Sequence, residues 1–371
     1  MTEFEALLVV LLVSLLLAAL ARRVGAPYPA FLALGGAVLA FLPGAPTFSI
    51  DPDVALALFV APVLLDAAYD SSPRDLRDNW VAVTSLAVAS VGLTTIAVAL
   101  VARALVPGLP WAAAVVLGAI VSPPDAAAAT AILRSLRPPH RILTILEGES
   151  LLNDASALLI YRLSVGAIAM GAFRLGKVAP TLLLTVAGSL IAGPLLAGLT
   201  LRITKNVRDI PTSIILQFLI TFGVWILADR LGLSSVLTMV AYAVAVARRA
   251  PLRTPARIRV PAYAVWDTAV FLLNVLAFVF IGLQVRPILA SLDPERRMSY
   301  LTVAGVVLVT VILVRIAWVM THNAVARWKI RRFGFHPRRP TQPPTLGSGL
   351  VISWSGMRGI VSLAAALALP E

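Results

Sequence analysis

The chain has 371 residues, of which 59% are hydrophobic and 13% charged, with a mean hydropathy of +0.92. Soluble domains average about 45–50% apolar and 25% charged residues, so this composition excludes a soluble globular protein and indicates a polytopic membrane protein. The formal net charge of +13 is scattered over short loops with no continuous basic face, which argues against a nucleic-acid binder, and without cysteine there are no disulfides or thiolate metal sites.

The N-terminus, Met1-Thr-Glu-Phe-Glu5, is acidic where a secretory leader carries a basic region, so the first apolar run reads as a retained span. Twelve apolar segments follow in order: 4–21, 27–43, 54–69, 80–105, 111–134, 142–172, 179–203, 211–229, 233–248, 262–289, 299–326 and 347–370. Each is long enough to cross a ~30 Å hydrocarbon core as a tilted helix. The connections are short and rich in Pro and Arg. The expected fold is therefore an all-α membrane protein, with residues 1–371 forming one transmembrane domain of about twelve helices.

Loop charge sets the expected orientation. Loops after odd-numbered segments hold 21 of the 31 basic residues, and the other loops hold 7. The positive-inside rule then places the N-terminus outside and the ends of the odd segments in the cytoplasm. Arg162, Arg315 and Arg358 fall inside spans and need partners or a route to the interface.

Two segments are interrupted. Ile120-Val-Ser-Pro-Pro-Asp125 puts two prolines in the fifth, which removes backbone donors and unwinds the helix. Ser353-Trp-Ser-Gly-Met-Arg-Gly359 breaks the twelfth with glycines and a charge. Broken helices at matching positions of two inverted repeats are how many transporters build an ion site. If segments 1–6 form one repeat and the seventh is a linker, the fifth and twelfth correspond. A second repeat of six would need a thirteenth helix, so the chain reads as lacking its last helix and any C-terminal tail.

The sixth segment opens with Glu147-Gly-Glu-Ser-Leu-Leu-Asn-Asp154 and runs on as an apolar helix. Helical spacing aligns Ser150 with Asp154 and Glu149 with Asn153, with Glu147 further back. An aspartate held inside a bilayer is costly unless it serves an ion pathway or a partner. Asp154 in that setting can carry either a proton or a monovalent cation, and competition for one carboxylate is all that exchange requires. Ser150 is a plausible oxygen ligand for a hard cation. Asn153 supplies an amide without a second charge. Glu149 and Arg315 read as a buried ion pair joining the sixth and eleventh segments, the other reading of Arg315 being a side chain that snorkels to the interface. Arg358, in the twelfth break, either neutralises carbonyl ends or pairs with Glu147. Asp125 either offsets exposed amide ends at the fifth break or ligates the ion, and Thr130 is ambiguous. Asp66, late in the third segment, either guides cations or is an interfacial acid. Arg162 reads as a snorkelling or pairing residue. Asp267 and Asn274, a heptad apart, read as interhelical hydrogen-bonding groups, and His322 as an interface residue rather than a ligand.

These motifs resemble the monovalent cation:proton antiporter-1 family, the sodium/proton exchangers. The resemblance rests on Glu147–Asp154, Ser122-Pro-Pro-Asp-Ala126, Phe278-Val-Phe-Ile-Gly-Leu-Gln284 and Ser355-Gly-Met-Arg-Gly-Ile-Val-Ser-Leu363. It implies thirteen helices in two inverted six-helix repeats, with crossed broken helices 5 and 12 in a core domain and a separate dimerisation domain. It implies Asp154 as the cation- and proton-binding carboxylate with Ser150 as an Na+ or K+ ligand, Asp125 near the crossing, the Glu149–Arg315 pair, and Asp66 on the cytoplasmic path. Asn153-Asp154, rather than two aspartates, is similar to the electroneutral branch. The chain departs from the family pattern in having Pro124 before Asp125 and Ala126 after it, and in Val240-Ala-Tyr-Ala-Val-Ala245, where a glycine is usual.

The resulting expectation is a secondary transporter, not an enzyme. It would be a homodimer in a bacterial inner membrane, exchanging Na+ or K+ for H+ without a cofactor, since no phosphate-binding glycine loop is present. The competing readings are a non-transporting sensor on the same fold and an intramembrane hydrolase using Asp125 and Asp154 as a shared-proton pair.

Overall fold

The computed structural model describes residues 3–25, 27–43, 51–125, 133, 138–169, 175–334, 344–356 and 358–367. Among these, every regular element is helical. In chain order they are α1 (Glu3–Val24), α2 (Tyr28–Ala40), α3 (Pro52–Asp70), α4 (Pro73–Asp78), α5 (Trp80–Leu105), α6 (Trp111–Val121), α7 (His140–Ala169) and α8 (Leu175–Ile203). Then come α9 (Ile210–Arg230), α10 (Ser235–Arg253), α11 (Ala256–Leu283), α12 (Val285–Ser291), α13 (Arg297–Phe333), α14 (Leu346–Trp354) and α15 (Ile360–Leu367).

The span expected at 80–105 is found with those bounds, and most of the others differ by only a few residues. Three differences stand out. The fifth span's first helix stops at Val121, one residue before the Ser122-Pro-Pro sequence, because proline cannot donate to the helical ladder. The tenth span divides at Gln284 into α11 and the short α12. Helix α4 was not expected: it is only six residues long, opened by the Ser72 hydroxyl accepting from Asp75 N–H and by Pro73 in its first turn. Other starts follow the same capping chemistry. Ser234 accepts from Leu237 N–H at α10, and Thr345 from Ser348 N–H at α14.

Six described helical stretches are long and apolar enough to cross a membrane. In the most apolar window of α13 the mean hydropathy is 2.5, yet only 22% of that window is buried within the protein. An apolar helix with most of its surface uncovered is at home in lipid, not water. At about 1.5 Å per residue, the 37 residues of α13 outrun a ~30 Å core, and its last turn carries Arg331 and Arg332.

The chain divides into two compact units, residues 1–70, 175–297 and 359–371 in one and 71–174 and 298–358 in the other. In the first, α2 lies against α11, α8 against α10, and α15 against α3 and α11. Backbones meet closely at α2–α11, where a Cβ on Gly36 would collide with the Val279 carbonyl and one on Gly282 with the Ala33 carbonyl. Small residues permit such contacts between membrane helices, where apolar burial gives little drive for association. Gly282→Ala is expected to destabilise the protein by about 1–3 kcal/mol through overpacking. Gly223→Ala, on α9 where an added Cβ meets nothing, should instead stabilise by up to about 1 kcal/mol through helix propensity. Thermal unfolding in detergent reads both, and equal shifts in one direction would refute the close-packing argument.

In the second unit, α6 lies between α5 and α7, and Gly118 of α6 rides on the Thr95 backbone of α5. Ser85–Ser90 within α5 forms a π-turn. Such a turn loosens the regular ladder, and the Ser85 carbonyl there accepts from Trp318 Nε1 at 3.2 Å.

Candidate functional site

The second unit brings together residues from α6, α7, α13 and the breaks after α6 and α14. Helix α7 supplies the most polar groups because its first half has acids and amides on more than one face. Glu149 and Asn153, four apart, are both fully buried. Glu147, Ser150 and Asp154 are half-buried.

Glu149 meets Arg315 of α13 in a two-pronged ion pair, Nη1 to Oε1 at 2.6 Å and Nη2 to Oε2 at 3.0 Å. Arg315 Nη2 also donates to the Ile352 carbonyl of α14 at 3.1 Å. Planar guanidinium and planar carboxylate match each other's geometry, and the arrangement removes both charges from contention for a mobile ion. Glycine at 356 is required sterically, because a Cβ there would press on Arg315 Cδ and Nε.

The break after α6 is held from two sides. Asn153 Nδ2 donates to the Pro124 carbonyl at 2.7 Å. Arg358 Nε donates to the Val121 carbonyl at 3.0 Å, and its Nη1 donates to the Gly356 carbonyl. Arg358 therefore lays its charge on carbonyls at the C-terminal ends of α6 and α14, where helix dipoles concentrate negative potential. Of the two roles open to Arg358, the described hydrogen bonds are those to carbonyls. Asn153→Asp is expected to cost about 1–3 kcal/mol, because an acceptor would replace the donor facing Pro124. Thermal unfolding of the variant in detergent measures this, and an unchanged midpoint would mean that Asn153 does not pin the break.

Asp154 stands apart from these pairings. Among the described residues no hydrogen bond or ion pair engages its carboxylate, and the charged group that bears on it is Asp125, also half-buried, in the α6 break. Two carboxylates within electrostatic reach create a negative field that a cation or a proton relieves. Ser150 lies one turn before Asp154 on the same face. The Asn153 amide oxygen is buried without a hydrogen-bond partner among the described residues. Such oxygens are the ligands a hard monovalent cation takes.

Other expected residues lie elsewhere. Asp66 is half-buried in the first unit and lines a cavity there. Arg162 is exposed on α7. His322 Nδ1 lies 3.1 Å from Ser85 Oγ. Asp267 and Asn274 correct the expectation of interhelical hydrogen bonding. Asp267 is exposed, and among the described residues neither side chain bonds to another helix. Heptad spacing puts two residues on one helix face without saying what that face meets. Thr130 lies outside the described residues.

Comparison with known proteins gives the family and the fold. Residues 8–371 match the family model described as sodium/hydrogen exchanger, transmembrane. An uncharacterized Na+/H+ exchanger of Mycobacterium bovis is 35% identical over 94% of this chain and 63% of its own length. A sodium, potassium, lithium and rubidium/H+ antiporter of Bacillus subtilis is 29% identical over 93% of this chain and 52% of its own length. The chain thus spans between half and two thirds of these relatives. The sodium proton antiporter MjNhaP1 of Methanocaldococcus jannaschii, at pH 8, shares the fold with a TM-score of 0.70 at 18% identity, over 99% of this chain and 86% of that one. Residues 8–371 fit one family model, and six described helical stretches are long and apolar enough to cross a membrane: the protein is a multi-pass membrane protein of the sodium/hydrogen exchanger family.

Proposed function

We propose that the protein is an electroneutral monovalent cation/proton antiporter of the bacterial inner membrane, in which H+ and Na+ or K+ compete for Asp154. The observation that carries this reading is the contrast along α7. Glu149 is neutralised by Arg315, Asn153 has no charge and is tied to the α6 break, and Asp154 alone of the three offers a carboxylate that no described residue pairs with or donates to. One exchangeable negative charge suits one cation or one proton at a time, which makes the cycle electroneutral. Ser150 and the Asn153 amide oxygen complete the cation's ligands, with Asp125 adding negative potential.

Alternating access supplies the cycle. One unit carries the site and moves against the other, two copies associate through the unit lacking it, and the N-terminus faces outward with the arginine-rich loops in the cytoplasm. The pairing of broken helices supports two inverted repeats. Glu147 begins the polar stripe that leads along α7 to Ser150 and Asp154.

The test uses the full-length protein in everted vesicles with a pH-sensitive dye, adding sodium, potassium, lithium and rubidium in turn. Cation-induced dequenching that persists when the membrane potential is clamped supports electroneutral exchange and names the ion. No response to any of the four sinks the proposal.

A further inference from the structure

The first unit contains a cavity of 320 Å³ that none of the Asp154 site residues lines. Its size falls at the lower end of the roughly 300–1,000 Å³ usual for small-molecule sites. Its walls come from α3, α8, α9, α10 and α11. The mouth is strongly basic: Lys205, Arg208, Arg253, Arg257 and Arg259 all line it, and Asp66 is the one acid among the lining residues. Lys205 and Arg208 follow α8, Arg253 ends α10, and Arg257 and Arg259 stand in the first turn of α11, so two separate stretches of chain converge on one opening.

Three further features point to an anion. The 28-residue helix α11 starts at this mouth, with Pro255 as its cap residue and no side chain accepting from its first amides. Those N–H groups carry the positive end of the helix dipole. The nearby acid Asp209 is already committed: its carboxylate accepts from the Thr212 N–H at 3.0 Å and hydroxyl at 2.6 Å, which holds it below the usual carboxylate range. It caps α9, and Arg257 Nη2 donates to the Arg208 carbonyl at 3.5 Å, which brings the basic residues of the two stretches together. Deeper in, the cavity becomes amphipathic. Trp266, stacked on Phe218 at 4.1 Å, donates to Gln217 at 3.1 Å beside apolar Leu65, Val246 and Ile258.

We infer that this cavity is a binding site for a phosphate-bearing anion, its charge held by the arginines and the α11 amides at the mouth and its less polar body against Trp266. Phosphate chemistry fits because guanidinium groups match its oxygens in pairs, and basic pockets between membrane helices take anionic lipid headgroups. The source is either the headgroup of an anionic phospholipid or a free phosphate.

The experiment measures binding to full-length protein in a neutral detergent, with no need for transport, so its result is independent of the antiport reading. The probes are phosphatidylglycerol, phosphatidylcholine and inorganic phosphate, followed by thermal shift and native mass spectrometry. Phosphatidylglycerol is expected to raise the unfolding midpoint and phosphatidylcholine is not. Arg208→Gln with Arg257→Gln should weaken the anion at least about tenfold. Removing the same charge from α13, as Arg327→Gln with Arg331→Gln, should leave binding unchanged. Inorganic phosphate binding that depends on Arg208 and Arg257, with no lipid effect, keeps the site and assigns it to a free phosphate. Equal binding of both lipids, or equal loss in the two double variants, overturns the proposal. Should the first double variant fail to fold, Arg257→Gln alone is read in the same way.

Discussion

Asp154→Asn is expected to reduce cation-driven proton release in everted vesicles to background, for sodium and potassium alike, while leaving the thermal unfolding midpoint unchanged or higher. The two halves of this prediction have one cause. Among the described residues nothing donates to or pairs with the Asp154 carboxylate, so its neutral isostere orphans no partner and removes a charge that was expensive to hold in a membrane. On the proposed mechanism it also removes the exchange itself, because an amide cannot gain or lose a proton and gives a cation no countercharge. Asp154→Glu keeps the charge and is expected to retain weak exchange with a shifted ion preference, since the extra methylene displaces the carboxylate from Ser150. Undiminished exchange in Asp154→Asn would move the site, with Asp125 the next carboxylate to test. Lost exchange accompanied by a large drop in stability would recast Asp154 as a structural acid.

The Glu149–Arg315 pair is expected to behave in the opposite way. Arg315→Ala strands the Glu149 carboxylate in a site 1% exposed and takes a donor from the Ile352 carbonyl, a combination that costs about 3–5 kcal/mol. Glu149→Ala should cost a similar amount by stranding the guanidinium. The double variant Glu149→Leu with Arg315→Met keeps the volume and strands nothing, so it should be far less destabilised than either single variant. Unfolding midpoints of the four proteins in detergent form a double-mutant cycle. Additive losses would show that the pair is not a coupled structural unit. Exchange in the double variant would show that the pair serves the fold, and its loss would show that the pair also positions α7 for transport.

These two residues of α7 differ by tertiary contact, and their local sequence does not separate them. Glu149 and Asp154 sit five residues apart in one apolar helix, and either could be the exposed acid of a soluble protein. The need of Arg315 for a partner inside a span was legible, because a lone buried charge is too costly, and Glu149 was the acid at hand. The two breaks were legible too, since Pro123, Pro124, Gly356 and Gly359 act through the backbone of their own segment. The bond from Asn153 to Pro124 and the bonds from Arg358 to Val121 and Gly356 had no such signal. Arg358 and Val121 are 237 positions apart, and an arginine in a broken helix has many carbonyls to choose from. The π-turn at Ser85–Ser90 lies in a run of small and apolar residues that gives no local sign of it.

By itself the sequence determined the membrane class, the positions of the spans, the two interruptions and the family. Each of these depends on composition, on local backbone chemistry or on a contiguous motif. Only the tertiary structure decided that Arg315 neutralises Glu149, that Asp267 is exposed, and that basic residues from two separate stretches of chain line one cavity. In a membrane helix the faces toward lipid and toward protein are both apolar, so hydrophobic periodicity does not orient it. Its orientation is settled by close backbone contacts such as Gly36 on Val279 and by the few buried polar bonds it can complete.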